Sequence, residues 1–128
     1  MSPENARKLI EIYPEMFRYG ESCEPFPLFG FECGDGWFDL LKDLITEIKD
    51  ICIKSESDDI KATQIKEKYG TLRFYTNWET DDIEKAIWKA EERSSETCES
   101  CGQEGELKTL RGYWCVTNCD DCFKEAEE

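Results

Sequence analysis

Two cysteine pairs dominate the chemistry of this chain: Cys98-Glu-Ser-Cys101 and Cys119-Asp-Asp-Cys122, spaced C-x2-C-x17-C-x2-C. Zinc takes four soft ligands in a tetrahedron, and two such turns supply them from two chain segments. Cys98, Cys101, Cys119 and Cys122 are therefore the expected ligands of a Zn2+ ion. Four thiolates close the tetrahedron and leave no position for water, so a structural role is expected. A segment this short has too little core to hold itself without metal. Cys115 lies between the pairs and competes as a ligand on residue type alone. Its alternation with Trp114 points it inward instead. Cys23, Cys33 and Cys52 fit no metal spacing and read as buried free thiols rather than as a second site.

The chain has no histidine among its 128 residues. That excludes Ser-His-Asp chemistry, HExxH zinc sites and Cys-His nucleophile pairs. Zinc-deaminase chemistry is also disfavoured, because no H-x-E or C-x-E stands upstream and no proline precedes either pair. Glu32, Cys33, Asp35 and Glu67 have chemical interest, but no spacing pairs them, so no enzymatic activity is expected.

Four elements and a finger must position these residues. Ser2-Pro3-Glu4 reads as a helix start, with Leu9, Ile10 and Tyr13 on its apolar face and Pro14 interrupting it. Residues 20–36 are rich in glycine and aromatics and read as a loop packed by its own side chains. Asp35 to about Lys54 is the strongest helix: Trp37, Phe38, Leu41, Leu44, Ile45, Ile48, Ile51 and Cys52 recur at three- and four-residue steps. Asp35 is its expected N-cap, which makes Gly34-Asp35-Gly36 a cap with tight packing rather than an anion loop. Residues 62–76 alternate about Tyr69-Gly70, and the pattern requires Ile65 opposite Phe74 and Lys66 opposite Arg73. Glu67 then faces the core side beside Leu72, so it must be paired or near the rim. Thr80 caps a third helix running to about Arg93, with Ile83, Ala86, Ile87 and Ala90 as its stripe. Between the cysteine pairs, 106–110 and 113–117 flank Arg111-Gly112 as a second hairpin, and a helix starts at the second pair. Knuckle, hairpin and helix in that order resemble a treble-clef or zinc-ribbon finger. The expected fold is α+β, with helices on a short antiparallel hairpin in residues 1–95 and the finger in 96–128.

The charge is uneven. The total is −14, from 16 basic and 30 acidic side chains. Six basic and fourteen acidic groups leave residues 1–60 at −8, while four basic and one acidic leave 61–78 at +3. Residues 79–128, with six basic and fifteen acidic groups, carry −9. In the basic island Lys66, Lys68 and Arg73 share one face with Tyr75. That face reads as solvated or internally paired, or else as a site for phosphate, nucleotide or an acidic partner. Asp39, Asp43, Glu47 and Asp50 form a row on the long helix, where like charges at such spacing repel. This is a wet helix face or a surface that meets a basic partner.

Phe31-Glu-Cys-Gly-Asp-Gly-Trp-Phe-Asp-Leu40 and Gln64-Ile-Lys-Glu-Lys-Tyr-Gly-Thr-Leu-Arg-Phe-Tyr75, with the terminal Cys-x-x-Cys finger, resemble a group of small uncharacterised proteins of tailed phages and prophages. The resemblance covers roughly residues 28 to 122. It implies origin and carries over no catalytic residue. A small acidic phage protein invites the expectation of an interaction protein that inhibits a host defence or nucleic-acid-handling protein, its acidic surface occupying a basic groove. A basic host protein is then the expected partner. Nucleic acid is a weaker one, through hairpin 64–75, because residues 98–122 of the finger hold only Lys108 and Arg111 as cations. No run of signal-peptide or membrane-spanning length is present, so no membrane partner and a cytoplasmic location, the host cytoplasm for a phage product, are expected.

Overall fold

The computed structural model describes residues 1–18 and 30–128. Cys23 and most of the expected aromatic loop lie outside the described residues. The fold is α+β: five α-helices with a three-stranded and a two-stranded sheet among the described residues.

Helix α1 (Pro3–Ile12) starts as its sequence dictates, with Pro3 in the first turn and the Ser2 hydroxyl accepting from the Asn5 amide at 3.2 Å. Pro14 ends it and opens the short α2 (Pro14–Phe17). Strand β1 is only Phe31–Glu32. A 3-10 turn at Asp35–Trp37 then leads into α3 (Phe38–Lys54), whose Leu40, Leu41, Leu44, Ile45, Ile48 and Cys52 are buried. Strands β2 (Ala62–Lys68) and β3 (Thr71–Thr76) form the expected hairpin, with Ile65 opposite Phe74 and Lys66 opposite Arg73. Tyr69 and Gly70 both have positive φ, 54° and 87°, the two-residue turn whose twist suits a hairpin. Thr80 caps α4 (Asp81–Ser94) through the Ile83 amide, and the whole predicted stripe is buried.

Two features depart from the expected arrangement. The sheet gains a third strand, because β1 pairs in parallel with β2, placing Phe31 beside Ile65 and Glu32 beside Lys66. Asp35 does not cap α3. Its carboxylate accepts from the Ser2 amide at 2.8 Å and the Asn5 carboxamide at 3.1 Å, so it ties down the start of α1 instead. Those two donors hold its pKa below the ordinary carboxylate value. The 3-10 turn before α3 has Gly34 at its cap position and no side-chain cap.

One core joins these elements: Leu9, Trp37, Leu41, Ile45, Ile48, Ile65, Leu72 and Ile83 are fully buried together. Strand β3 is the edge of its sheet, and α4 covers part of that edge. The Leu72 amide donates to the Ser94 hydroxyl at 2.9 Å and the Phe74 amide to the Glu91 carboxylate at 3.4 Å, so neither is left as an open template. No helix among the described residues is long and apolar enough to cross a membrane.

Candidate metal centre

The chain enters the cysteine unit directly from α4. Cys98, Glu99, Ser100 and Cys101 form a tight turn: the Gly102 amide donates to the Cys98 carbonyl at 2.9 Å and the Cys98 amide to the Gln103 carbonyl at 2.7 Å. Gly102 completes the turn at φ 84°, where a side chain would be strained. Strands β4 (Glu106–Leu110) and β5 (Trp114–Asn118) follow, with Leu107 opposite Thr117 and Thr109 opposite Cys115. Helix α5 (Asp120–Glu127) begins on Cys119, whose sulfur accepts from the Cys122 amide at 3.4 Å. A thiolate there takes the place of a capping hydroxyl and meets the positive end of the helix.

The four predicted ligands come together. The sulfurs of Cys98, Cys101, Cys119 and Cys122 all lie within 4.8 Å of one another, and Cys101 and Cys119 are 3.7 Å apart. A tetrahedron with Zn–S bonds of about 2.3 Å has edges of roughly 3.8 Å, so the spacing fits a divalent ion at the centre. It is far too long for a disulfide, and all four are free thiols. Neighbouring donors aim at the sulfurs: the Asn118 carboxamide lies 3.5 Å from the Cys98 sulfur. Burial opposes ionisation of Cys98, but amides of Cys119, Cys101 and Ser100 and the Asn118 side chain prevail and bring it down to about 6. Cys122 is held in the opposite direction, by hydrogen bonding to the Cys119 sulfur and by burial. Four sulfurs so placed form a site able to hold a metal ion.

Little apolar material backs this unit. Leu110 and Cys98 are its buried hydrophobic residues, and α5 buries none. Lys108 ties β4 to α5, reaching Asp120 at 2.9 Å and Glu106 at 3.0 Å and lying 5.3 Å over the Phe123 ring.

The knuckle is fastened to the helical body by contacts that no cysteine spacing announces. The Gly36 amide donates to the Glu99 carbonyl and the Gly34 amide to the Glu99 carboxylate, each at 2.8 Å. The Trp37 indole donates to the Thr97 carbonyl at 2.9 Å. A Cβ on Gly36 would stand 2.1 Å from the Cys98 carbonyl oxygen, and one on Gly34 2.4 Å from that of Glu99. The Gly34-Asp35-Gly36 run is thus a seat for the first cysteine turn. At the hairpin tip the Thr117 hydroxyl donates to the Gly70 carbonyl at 2.6 Å, and a Cβ on Gly70 would press on Leu107. Glu67 accepts from the Gly70 amide at 2.6 Å, which satisfies the carboxylate beside Leu72.

The other candidates fall in three places. Cys33 and Cys52 are buried free thiols, and burial, with Glu99 nearby, pushes Cys33 up to about 12. Cys115 is half-buried and outside the metal group. Lys66, Lys68, Arg73 and Tyr75 do share the outer face of the sheet, and none of the three cations is in an ion pair among the described residues. Arg73 donates instead to the Thr71 hydroxyl and the Leu72 carbonyl. The acidic row is divided: Asp43 meets Arg93 at 2.7 Å and Glu47 meets Lys89 at 3.4 Å across the α3–α4 junction, whereas Asp39 and Asp50 make no ion pair among the described residues. Two members of that row therefore serve helix packing, which a pattern read along one helix does not reveal.

Compared with protein-family models, curated proteins and solved structures, the chain matches none.

Proposed function

We propose that the chain is a phage-encoded, zinc-stabilised interaction protein without catalytic activity, acting in the host cytoplasm to occupy the basic surface of a host defence or nucleic-acid-handling protein. The observation that carries this reading is how little of the acidic charge is used internally. Among the described residues only Glu4, Asp43, Glu47, Glu106 and Asp120 enter ion pairs. Most of the other carboxylates are exposed, so the molecule presents a strong negative field, which steers basic partners and repels phosphate. The thiol of Cys33, buried and held protonated, supports a role without nucleophilic chemistry. The all-thiolate donor set favours Zn2+ as a structural ion, and the order of knuckle, hairpin and helix supports a treble-clef-like finger. Affinity purification from host cells, with metal measured on the bait, tests the reading. It expects a stoichiometric basic protein released by salt and one zinc per chain, and enrichment of nothing overturns it.

A second reading has one observation of its own. Exposed Tyr69, Tyr113 and Trp114 line a recess of about 400 Å³ between the two hairpins, together with Glu67, and the Lys68 ammonium lies 5.7 Å over the Tyr69 ring. Aromatic faces beside an unpaired cation suit stacked bases of single-stranded nucleic acid. A mobility shift at low salt that disappears with Tyr69→Ala supports this reading, and no shift at all removes it.

A further inference from the structure

A groove of about 680 Å³ runs between β3 and α4. Its floor and walls are Phe74, Tyr75, Ile87 and Trp88. Ligand-binding clefts occupy about 300–1,000 Å³, so its size is ample. Trp88 is 60% exposed and Tyr75 43% exposed. Exposed tryptophan and tyrosine beside a cleft have the composition of interface hot spots.

The rim supplies the charge. Glu79, Asp81, Glu84 and Glu91 surround these aromatics, with Lys85 as the one cation among the lining residues. None of the five is in an ion pair among the described residues. Glu91 is half-buried, and its burial raises its pKa, so a cation beside it would relieve a desolvated carboxylate. Anionic ligands and the acidic surface of a second copy are repelled here.

The backbone supplies the shape. Leu72 and Phe74 point their amides outward, to Ser94 and Glu91, and the same alternation turns the Thr76 amide outward. Leu72 and Ser94 do not line the groove, whereas Phe74, Tyr75 and Thr76 do. The groove therefore runs along the sheet edge from Phe74, whose amide Glu91 occupies, to Thr76. An extended segment laid on such an edge gains main-chain hydrogen bonds, while its alternate side chains meet the wall and the rim.

Resting on the proposed role as a binder of basic proteins, we propose that this groove is the docking site, and that its occupant is an extended partner segment alternating apolar with Lys or Arg side chains. The apolar positions pack on Trp88 and Tyr75, and the cations reach Glu79, Asp81, Glu84 and Glu91.

The test uses the zinc-loaded full chain and a labelled peptide alternating valine and lysine. A valine–glutamate peptide and an oligolysine serve as controls. Fluorescence anisotropy should show saturable binding of the valine–lysine peptide alone, with amide shifts concentrated at residues 74–76 and 84–91. Trp88→Ala and Glu84→Lys, both at exposed positions, should each weaken it by about tenfold. Equal binding of oligolysine, or shifts centred on Asp39 and Asp50, overturns the groove and points to unspecific attraction. Unchanged affinity in both variants, or no binding, overturns it as well. A host partner still captured by the Trp88→Ala/Glu84→Lys double variant refutes this site while leaving the proposed function intact.

Discussion

The helical body and the cysteine unit are held together by different means. The body buries a continuous cluster from Leu9 to Ala90, with Trp37 and the inner faces of α3, α4 and the hairpin at its centre. The cysteine unit buries Leu110, Cys98, Thr117 and Asn118 and little else. Apolar burial contributes about 25 cal/mol per Å², which sustains the first region and not the second. The second region has, in place of a core, four clustered cysteines and a docking surface. A fold can thus change its source of cohesion within one chain, provided the weaker part is seated on the stronger.

Metal removal should separate the two regions most sharply. Structural zinc in small fingers contributes on the order of 10 kcal/mol at neutral pH. Chelation, or Cys98→Ser, should collapse the amide dispersion of residues 96–128 while the helical circular dichroism of α1, α3 and α4 largely persists. A finger that keeps its dispersed spectrum without metal would erase the contrast.

Gly36→Ala tests the seat itself. The added methyl meets backbone atoms of Cys98 and Glu99, which cannot rotate away as a side-chain tip could. A loss of about 3 kcal/mol is expected, with zinc still bound. Denaturant melting combined with metal analysis checks this, and a loss under roughly 0.5 kcal/mol, the scale of a neutral surface change, would mean the seat is loose.

Asp35→Asn should have the smallest effect, because the carboxylate is exposed and solvent screens it. Its folded pKa lies below the ordinary 3.8, so its contribution is present above that value and is lost as pH falls through the lower folded one. The stability difference between the two chains should be below about 1 kcal/mol near neutrality and shrink on the acid side. Comparing the two cancels the acid sensitivity of the metal itself. A difference independent of pH would show that the bonds to Ser2 and Asn5 do not depend on the charge.

What could be read in advance follows from range along the chain. The stripe of α4, the periodicity of α3 and the register Ile65–Phe74 are short-range patterns, so they were legible. So was the metal group, because tetrahedral thiolate binding demands paired turns. Strand β1 was not, since two residues show no period and its partner lies in β2. Asp35 resembled a cap by its position before α3, but its donors come from Ser2 and Asn5, on another helix. Gly34 and Gly36 signalled a close approach without naming its partner, Glu99. Arg93 and Lys89 claimed Asp43 and Glu47 only because two helices happen to lie side by side.

The bond from Gly34 to Glu99 spans 65 residues, and that from Trp37 to Thr97 spans 60. During synthesis the glycine seat leaves the ribosome well before its occupant, at about 5–20 residues per second. That seat then stays uncovered for seconds, while α3, the hairpin and α4 are still being made. Joining such distant segments carries an entropic cost that grows with the logarithm of their separation. An ion held by the four clustered cysteines would order the knuckle and so offset part of that cost for both regions at once.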